Sequence, residues 1–173
     1  TNEGVAKASE RPQMLVILDY DFSIGKSEVT CAEFNSLMKS SKISVPCEKD
    51  AYPATNLTYY DAVLFANARS KKEGFDTAYT YSKVELNSEN HCVNLEGFAF
   101  HPEVKAYRLP TEAEWAFVAN RFWNTKAAWT SDNSDYHLHA VCSRSSDAQV
   151  CDMVGNAMEW VNDWLGNFRD TTI

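Results

Sequence analysis

The sequence predicts a single α+β domain with little regular secondary structure, two to three helices and small antiparallel sheets. Three observations lead there. Three segments open with a threonine followed three residues later by an acid, which is a helix-start signal. The apolar runs between them are strand-sized and bounded by turn residues. Residues 124–149 show almost no periodicity of either kind. Few helices, short strands and long loops in one chain of 173 residues fit one α+β domain, long enough to bury a core of its own.

Taken in order, residues 1–12 are polar and small and read as a linker, or as the start of a mature exported protein. The domain occupies residues 13–173. Residues 14–18 and 22–24 are strand candidates. Thr30 and Glu33 open the first helix, with Phe34, Leu37 and Met38 at helical spacing. Thr58 and Asp61 open the second, whose buried stripe is Ala62, Phe65, Ala66 and Arg69, with Gly74 closing it. Residues 79–81, 95–100 and 107–109 are further strand candidates, and a hairpin with a polar tip at residues 87–90 is expected among them. Thr111 and Glu114 open the third helix directly after Pro110, with Trp115, Val118 and Ala119 inward. Arg108 and Glu114 are expected to form an ion pair locking this helix to the preceding strand.

Composition narrows the function classes. The net charge is −8, and no Lys/Arg cluster is visible, so phosphate-backbone binding and electrostatic attachment to anionic lipid are disfavoured. No apolar run approaches the ~20 residues of a membrane span. Aromatic residues make up 13% of the chain, which suits a loop-rich fold pinned by ring anchors. No nucleophile elbow or glycine-rich phosphate loop occurs.

The five cysteines form no Cys-x-x-Cys pair. Cys142 and Cys151 flank a polar stretch that a disulfide would staple shut. Cys47 and Cys92, also in polar surroundings, are a second expected pair; the alternative for both is unpaired thiols. Cys31 lies on the apolar face of the first helix and reads as a small core residue.

Two constellations have metal-ligand chemistry. Gly155, Asn156 and Glu159 form a turn with amide and carboxylate oxygens three positions apart, and hard cations such as calcium take such oxygens. The alternative is that both side chains bond backbone in a tight turn and fix Trp160 in the core. His137 and His139 would share one face of a strand, but exposed polar histidines are the simpler reading. For ligand binding, the long irregular stretch offers Trp123, Trp129, Tyr136, Asp132 and Asp135, with core anchoring as the alternative for the tryptophans.

Four segments carry a family resemblance. Glu28-Val29-Thr30 resembles an "EVT" strand leading into a first helix. Residues 52–62 resemble a "PV-x-V-(S/T)-W-x-D-A" helix entry. Residues 107–115 match the signature "YRLPTEAEW" letter for letter. Residues 152–161 resemble "DM-x-GN-x-(W)-EWV", with Met158 where tryptophan is usual. In this order they resemble the formylglycine-generating-enzyme, or sulfatase-modifying factor, family. More narrowly, residues 66–74 and 94–97 and the cysteine-flanked loop are similar to members in large envelope lipoproteins of fibre-degrading bacteria.

The resemblance implies a variant C-type-lectin-like fold. It also implies, in some members, a calcium site with Asn156 and Glu159 as side-chain ligands and Val154 and Ala157 as carbonyl donors. The family's catalytic enzymes carry a copper-binding cysteine pair after an "RGGS" strand that follows the "GN-x-x-EW" segment. Here neither the strand nor that pair occurs before Ile173. Two functions are therefore expected as rivals. One is a non-catalytic binding or scaffold module, cell-envelope or secreted, whose partner is a protein or glycan. The other is a copper-dependent formylglycine-generating oxidase acting on a sulfatase cysteine, its own cysteines lying beyond Ile173.

Overall fold

The computed structural model describes residues 15–144 and 147–164. Three helices and two small sheets account for its regular structure: α1 (Cys31–Met38), α2 (Tyr59–Lys72), β1 (Tyr79–Thr80), β2 (Lys83–Leu86), β3 (Cys92–Glu96), β4 (Ala99–Phe100) and α3 (Glu112–Phe122). Single 3₁₀ turns follow α1 and α3. Strands β1 and β4 pair antiparallel, as do β2 and β3. Met14 and the residues after Trp164 lie outside the described residues. Residues 15–18, 22–24 and 107–109, expected as strands, have no strand partner among the described residues. Apolar composition alone does not supply the backbone partner that defines a strand.

All three helices start where the threonines predict. Thr58 with Asp61, and Thr111 with Glu114, form reciprocal capping boxes. Thr30 caps α1 by accepting from the Glu33 N–H, but Glu33 does not return the bond. Its carboxylate is instead drawn to Arg69 of α2, 3.1 Å away. The expected hairpin is β2–β3, and Asn87 Oδ1 at its tip accepts the N–H groups of Glu89 and His91.

Two buried clusters hold these elements. The larger joins α1, α2 and the sheets, with Phe34 stacked on Phe65 at 5.4 Å. Within it Asn67 of α2 clamps the backbone of Tyr79, donating to its C=O at 2.8 Å and accepting its N–H at 3.3 Å. Ser70 accepts the Tyr107 N–H at 2.8 Å. The helix thereby sets the position of the residues 107–111 that lead into α3. The smaller cluster joins Val118 and Ala119 of α3 to Met153, with Phe22, Ile24 and Trp115 around them. It ties the long irregular stretch to the rest of the domain.

The cysteine pairing differs from expectation in one bond. Cys142 pairs with Cys151, Cα atoms 5.1 Å apart. Cys47 pairs with Cys31, at a Cα separation of 5.8 Å, and not with Cys92. Cys92 is a free, fully buried thiol. The physical reason is that Asn35 of α1 holds the Cys47 segment, with Nδ2 on the Val45 C=O and Oδ1 on the Val45 N–H. Cys92 meanwhile is fixed in β3, its N–H donated to buried Asp61. Among the described residues no helix is long and apolar enough to cross a membrane.

Candidate functional site

The site is assembled from residues 123–164, which carry little regular structure but many cross-links. Its hub is the turn at Gly155 and Asn156. The Asn156 N–H bonds the Trp129 C=O at 2.9 Å, and a Cβ on Gly155 would collide with that same carbonyl oxygen. Only glycine allows this approach. Asn156, itself at positive φ, uses its whole amide: Oδ1 accepts the His139 N–H at 2.9 Å, and Nδ2 donates to the His139 C=O and to Glu28 Oε2. Glu28 Oε1 accepts the Ala157 N–H at 2.8 Å. One side chain from the segment before α1 therefore fastens the turn at residues 156 and 157, and Asn156 in turn holds the His139 backbone.

Of the residues expected to hold calcium, Asn156 has its oxygen committed to backbone, and Glu159 Oε2 accepts from Trp115 Nε1 at 3.1 Å. Val154 and Ala157 flank the turn. Among the described residues no group of three or more His, Cys, Asp or Glu side chains stands in a metal-holding arrangement. Sequence reasoning read Asp152 as one of several acids of a solvated loop and did not place it at this turn. It is buried, with Oδ2 accepting the Cys142 N–H at 2.6 Å and Oδ1 without a hydrogen-bond partner. A buried carboxylate oxygen left unpaired is costly. The signal available was the motif itself, since an acid opens the "DM-x-GN" segment. His137 is exposed, and the His139 ring nitrogen Nε2 lies 3.2 Å from the Ser134 C=O, so the two do not form a chelate.

Glu28 carries an unusual charge balance. Burial pushes its carboxyl up to about 8 from the ordinary 4.5, against the bonds donated by Ala157 and Asn156 and with help from the charges of Asp152 and Glu159. The native state then keeps a proton that the unfolded chain gives up. Stability from this group is whole below about pH 4.5 and is lost as pH rises through about 8. Urea unfolding followed across that range should show a decline in the wild type that Glu28→Gln flattens; an identical slope in both would remove Glu28 as its source.

The aromatic candidates divide. Trp129 is enclosed: His139 stacks on its ring at 3.5 Å, the Arg144 guanidinium lies 4.8 Å from its centre, and Nε1 donates to Ser143. It is an anchor for the disulfide-closed loop. Trp123, which ends α3, is exposed. Tyr136 is 88% exposed, with Asp132 and Asp135 exposed near it in sequence. Asp135 and Tyr136 both hold positive φ, at 51° and 59°. Two consecutive non-glycine residues in the left-handed region store strain of about 1–3 kcal/mol each, and such strain clusters at working surfaces.

The model of the "sulfatase-modifying factor enzyme 1-like domain" matches residues 1–171. The chain is similar to Chaperone protein LppX of Paenibacillus barcinonensis, 27% identical over 177 residues, which cover 83% of this chain. It spans 62% of that relative's length. Two solved structures share the fold. Treponema denticola variable protein 1 has a TM-score of 0.62 at 23% identity, over 84% of this chain and 63% of its own. CarF has a TM-score of 0.61 at 21% identity, over 80% of this chain and 67% of its own.

Proposed function

This chain belongs to the sulfatase-modifying factor enzyme 1-like domain family, and from that premise we propose that it is a non-catalytic binding or scaffold module of a cell-envelope or extracellular protein. The observation that carries the reading is the strained, outward-held Tyr136 beside Asp135, mounted on a loop system fixed by Asn156, Glu28 and a disulfide. A rigid base presenting an exposed ring and carboxylates is how a scaffold offers a binding surface. The two disulfides support an oxidising compartment. All five cysteines are accounted for, four bonded and one fully buried, which leaves none of them for the family's copper pair. The relative's designation as a chaperone favours a protein partner over a glycan.

The test compares the full-length wild type with Tyr136→Asn, since asparagine tolerates the left-handed backbone while removing the ring. Binding to immobilised secreted proteins and to a glycan array should weaken at least tenfold in the variant, with a melting temperature at or above that of the wild type, since asparagine relieves the left-handed strain. Equal binding by both would sink the loop surface. Formylglycine formation in a sulfatase cysteine peptide, with copper added, would replace the binding reading with the oxidase. Calcium remains a second reading, favoured by the unpartnered Asp152 Oδ1. Calorimetry with calcium should then give heat that Asp152→Asn abolishes.

A further inference from the structure

The Cys31–Cys47 disulfide joins stretches of backbone that are already fixed without it. Before Cys47, Asn35 grips both the N–H and the C=O of Val45, and the Ile43 and Val45 side chains are buried in the larger cluster. After Cys47, the Asp50 C=O accepts the Ala32 N–H at 3.2 Å and the Tyr52 C=O accepts the Cys31 N–H at 2.8 Å. The Ala54 N–H then donates to the Val29 C=O at 2.9 Å. These bonds hold the Cα atoms of Cys31 and Cys47 5.8 Å apart, a separation suited to a disulfide. The pair can open without losing its register and close again.

The two sulfurs are unequal. Cys47 is exposed, whereas Cys31 is 1% exposed. An incoming thiolate therefore meets Cys47 Sγ, and Cys31 Sγ is the leaving atom. Three groups receive the departing charge or its proton. Asn35 Nδ2 lies 3.1 Å from Cys47 Sγ and 3.8 Å from Cys31 Sγ, so one amide donor serves both sulfurs. Cys31 is the first residue of α1, where the positive end of the helix favours negative charge. The Pro46 C=O, 3.6 Å from Cys31 Sγ, accepts the S–H once a proton has been taken up. A buried sulfur without such groups would have to carry its charge unpaired, which is costly. The remaining thiol, Cys92, is fully buried and out of a partner's reach.

We propose that Cys31–Cys47 is an exchangeable disulfide that oxidises a pair of thiols on a partner protein. First, a partner thiolate bonds Cys47 Sγ, the Cys31–Cys47 bond breaks, and its electron pair leaves on Cys31 Sγ. Next, the partner's second thiolate attacks the partner sulfur of this mixed disulfide, and Cys47 leaves as a thiolate. The partner gives up two electrons and two protons and gains a disulfide. Cys31 and Cys47 take up both and end as thiols. This adds an activity to the binding module and shares no residue with the Tyr136 surface, so either reading can fail alone.

For the test, the full-length oxidised protein is mixed with the reduced dithiol peptide N-acetyl-Cys-Gly-Gly-Cys-amide in the absence of oxygen. The mixture is quenched with acid, alkylated and mapped by mass spectrometry. Cys31 and Cys47 should become alkylatable in step with formation of the peptide disulfide, at least tenfold faster than Cys142 and Cys151. With the monothiol cysteamine, the adduct should sit on Cys47. Asn35→Asp keeps an acceptor for the Val45 N–H but places a carboxylate beside the sulfurs. It should slow the exchange at least tenfold with the disulfide still formed. The Cys31→Ser/Cys47→Ser variant should keep the wild-type NMR fingerprint away from α1 and leave the peptide reduced. Peptide oxidation by that variant at the wild-type rate, cysteamine on Cys31 or Cys142 in place of Cys47, or an Asn35→Asp variant as fast as the wild type would each overturn the proposal. So would loss of the fold when Cys31–Cys47 alone is opened.

Discussion

Arg108→Ala is expected to destabilise the protein by about 3–5 kcal/mol in urea unfolding, because it strands a buried charge. Glu114 is 1% exposed. Its oxygens accept two bonds from the Arg108 guanidinium at 2.6 and 2.7 Å, one from the Thr111 N–H at 2.7 Å and one from the Tyr20 hydroxyl at 3.0 Å. This carboxylate joins the segment before α1, the residues leading into α3, and the helix start itself. Burial opposes its ionisation, yet Arg108, the Thr111 N–H and Tyr20 hold it down to about 2 from the ordinary 4.5. The folded value is depressed, so the stability is present above about pH 4.5 and drains away as pH falls towards 2. Arg108→Lys should lose a substantial part as well, since an ammonium cannot copy the two-pronged contact. The double variant Arg108→Met/Glu114→Gln should be less damaged than Arg108→Ala, because no buried charge is left alone. A loss below about 1 kcal/mol for Arg108→Ala would show the pair to be solvated instead of structural.

Gly155→Ala is expected to cost at least about 3 kcal/mol and to disturb the whole loop system. Gly155 has φ +141°, and a methyl group there runs into the Trp129 carbonyl oxygen, a backbone atom that cannot rotate away. Moving it breaks the Asn156 N–H bond to that carbonyl and loosens the His139 and Glu28 contacts that depend on Asn156. Gly74→Ala is the control. It also has positive φ, at +79°, but nothing lies within 4 Å of the added carbon, so only the backbone term of about 1 kcal/mol should appear. Similar losses at both positions would mean that conformation, and not the carbonyl contact, demands glycine at 155. The loop signals of Trp129, His139 and Arg144 in NMR spectra should shift in Gly155→Ala and stay put in Gly74→Ala.

Much of the fold was open to reading because its signals are local. A threonine hydroxyl and an acid three residues on satisfy the N–H groups of the turn they belong to, so Thr58 and Thr111 announce α2 and α3 without reference to the rest of the chain. The β2–β3 hairpin is local for the same reason, its tip closed by the Asn87 side chain. Arg108 and Glu114 are only six positions apart, and the pair is legible from that proximity and from its chemistry. The Cys142–Cys151 bond closes a short loop, which polar composition marks as exposed.

The remaining features depend on approach between distant segments, which no local pattern encodes. Cys47 was expected to pair with Cys92, and Cys31 read as a core residue; the packing of Asn35 against Val45 instead brings Cys47 to Cys31, while the Cys92 N–H is held by Asp61. Thr30 promised a reciprocal cap, but an arginine on another helix drew Glu33 away. Asn156 read either as a cation ligand, because its oxygen type suits one, or as a turn residue bonding backbone. In the fold that oxygen is spent on the His139 N–H, and the unpartnered oxygen belongs to Asp152. Trp123 and Trp129 read alike in sequence, yet stacking by His139 and Arg144 encloses Trp129 while Trp123 is exposed. By itself, then, the sequence determined the α+β fold class, its helix starts and the family to which the four motifs point. Tertiary structure alone decided which of the chemically able side chains are occupied and which remain free to act, because a hydrogen bond or ring face is committed only when its partner arrives from elsewhere in the chain.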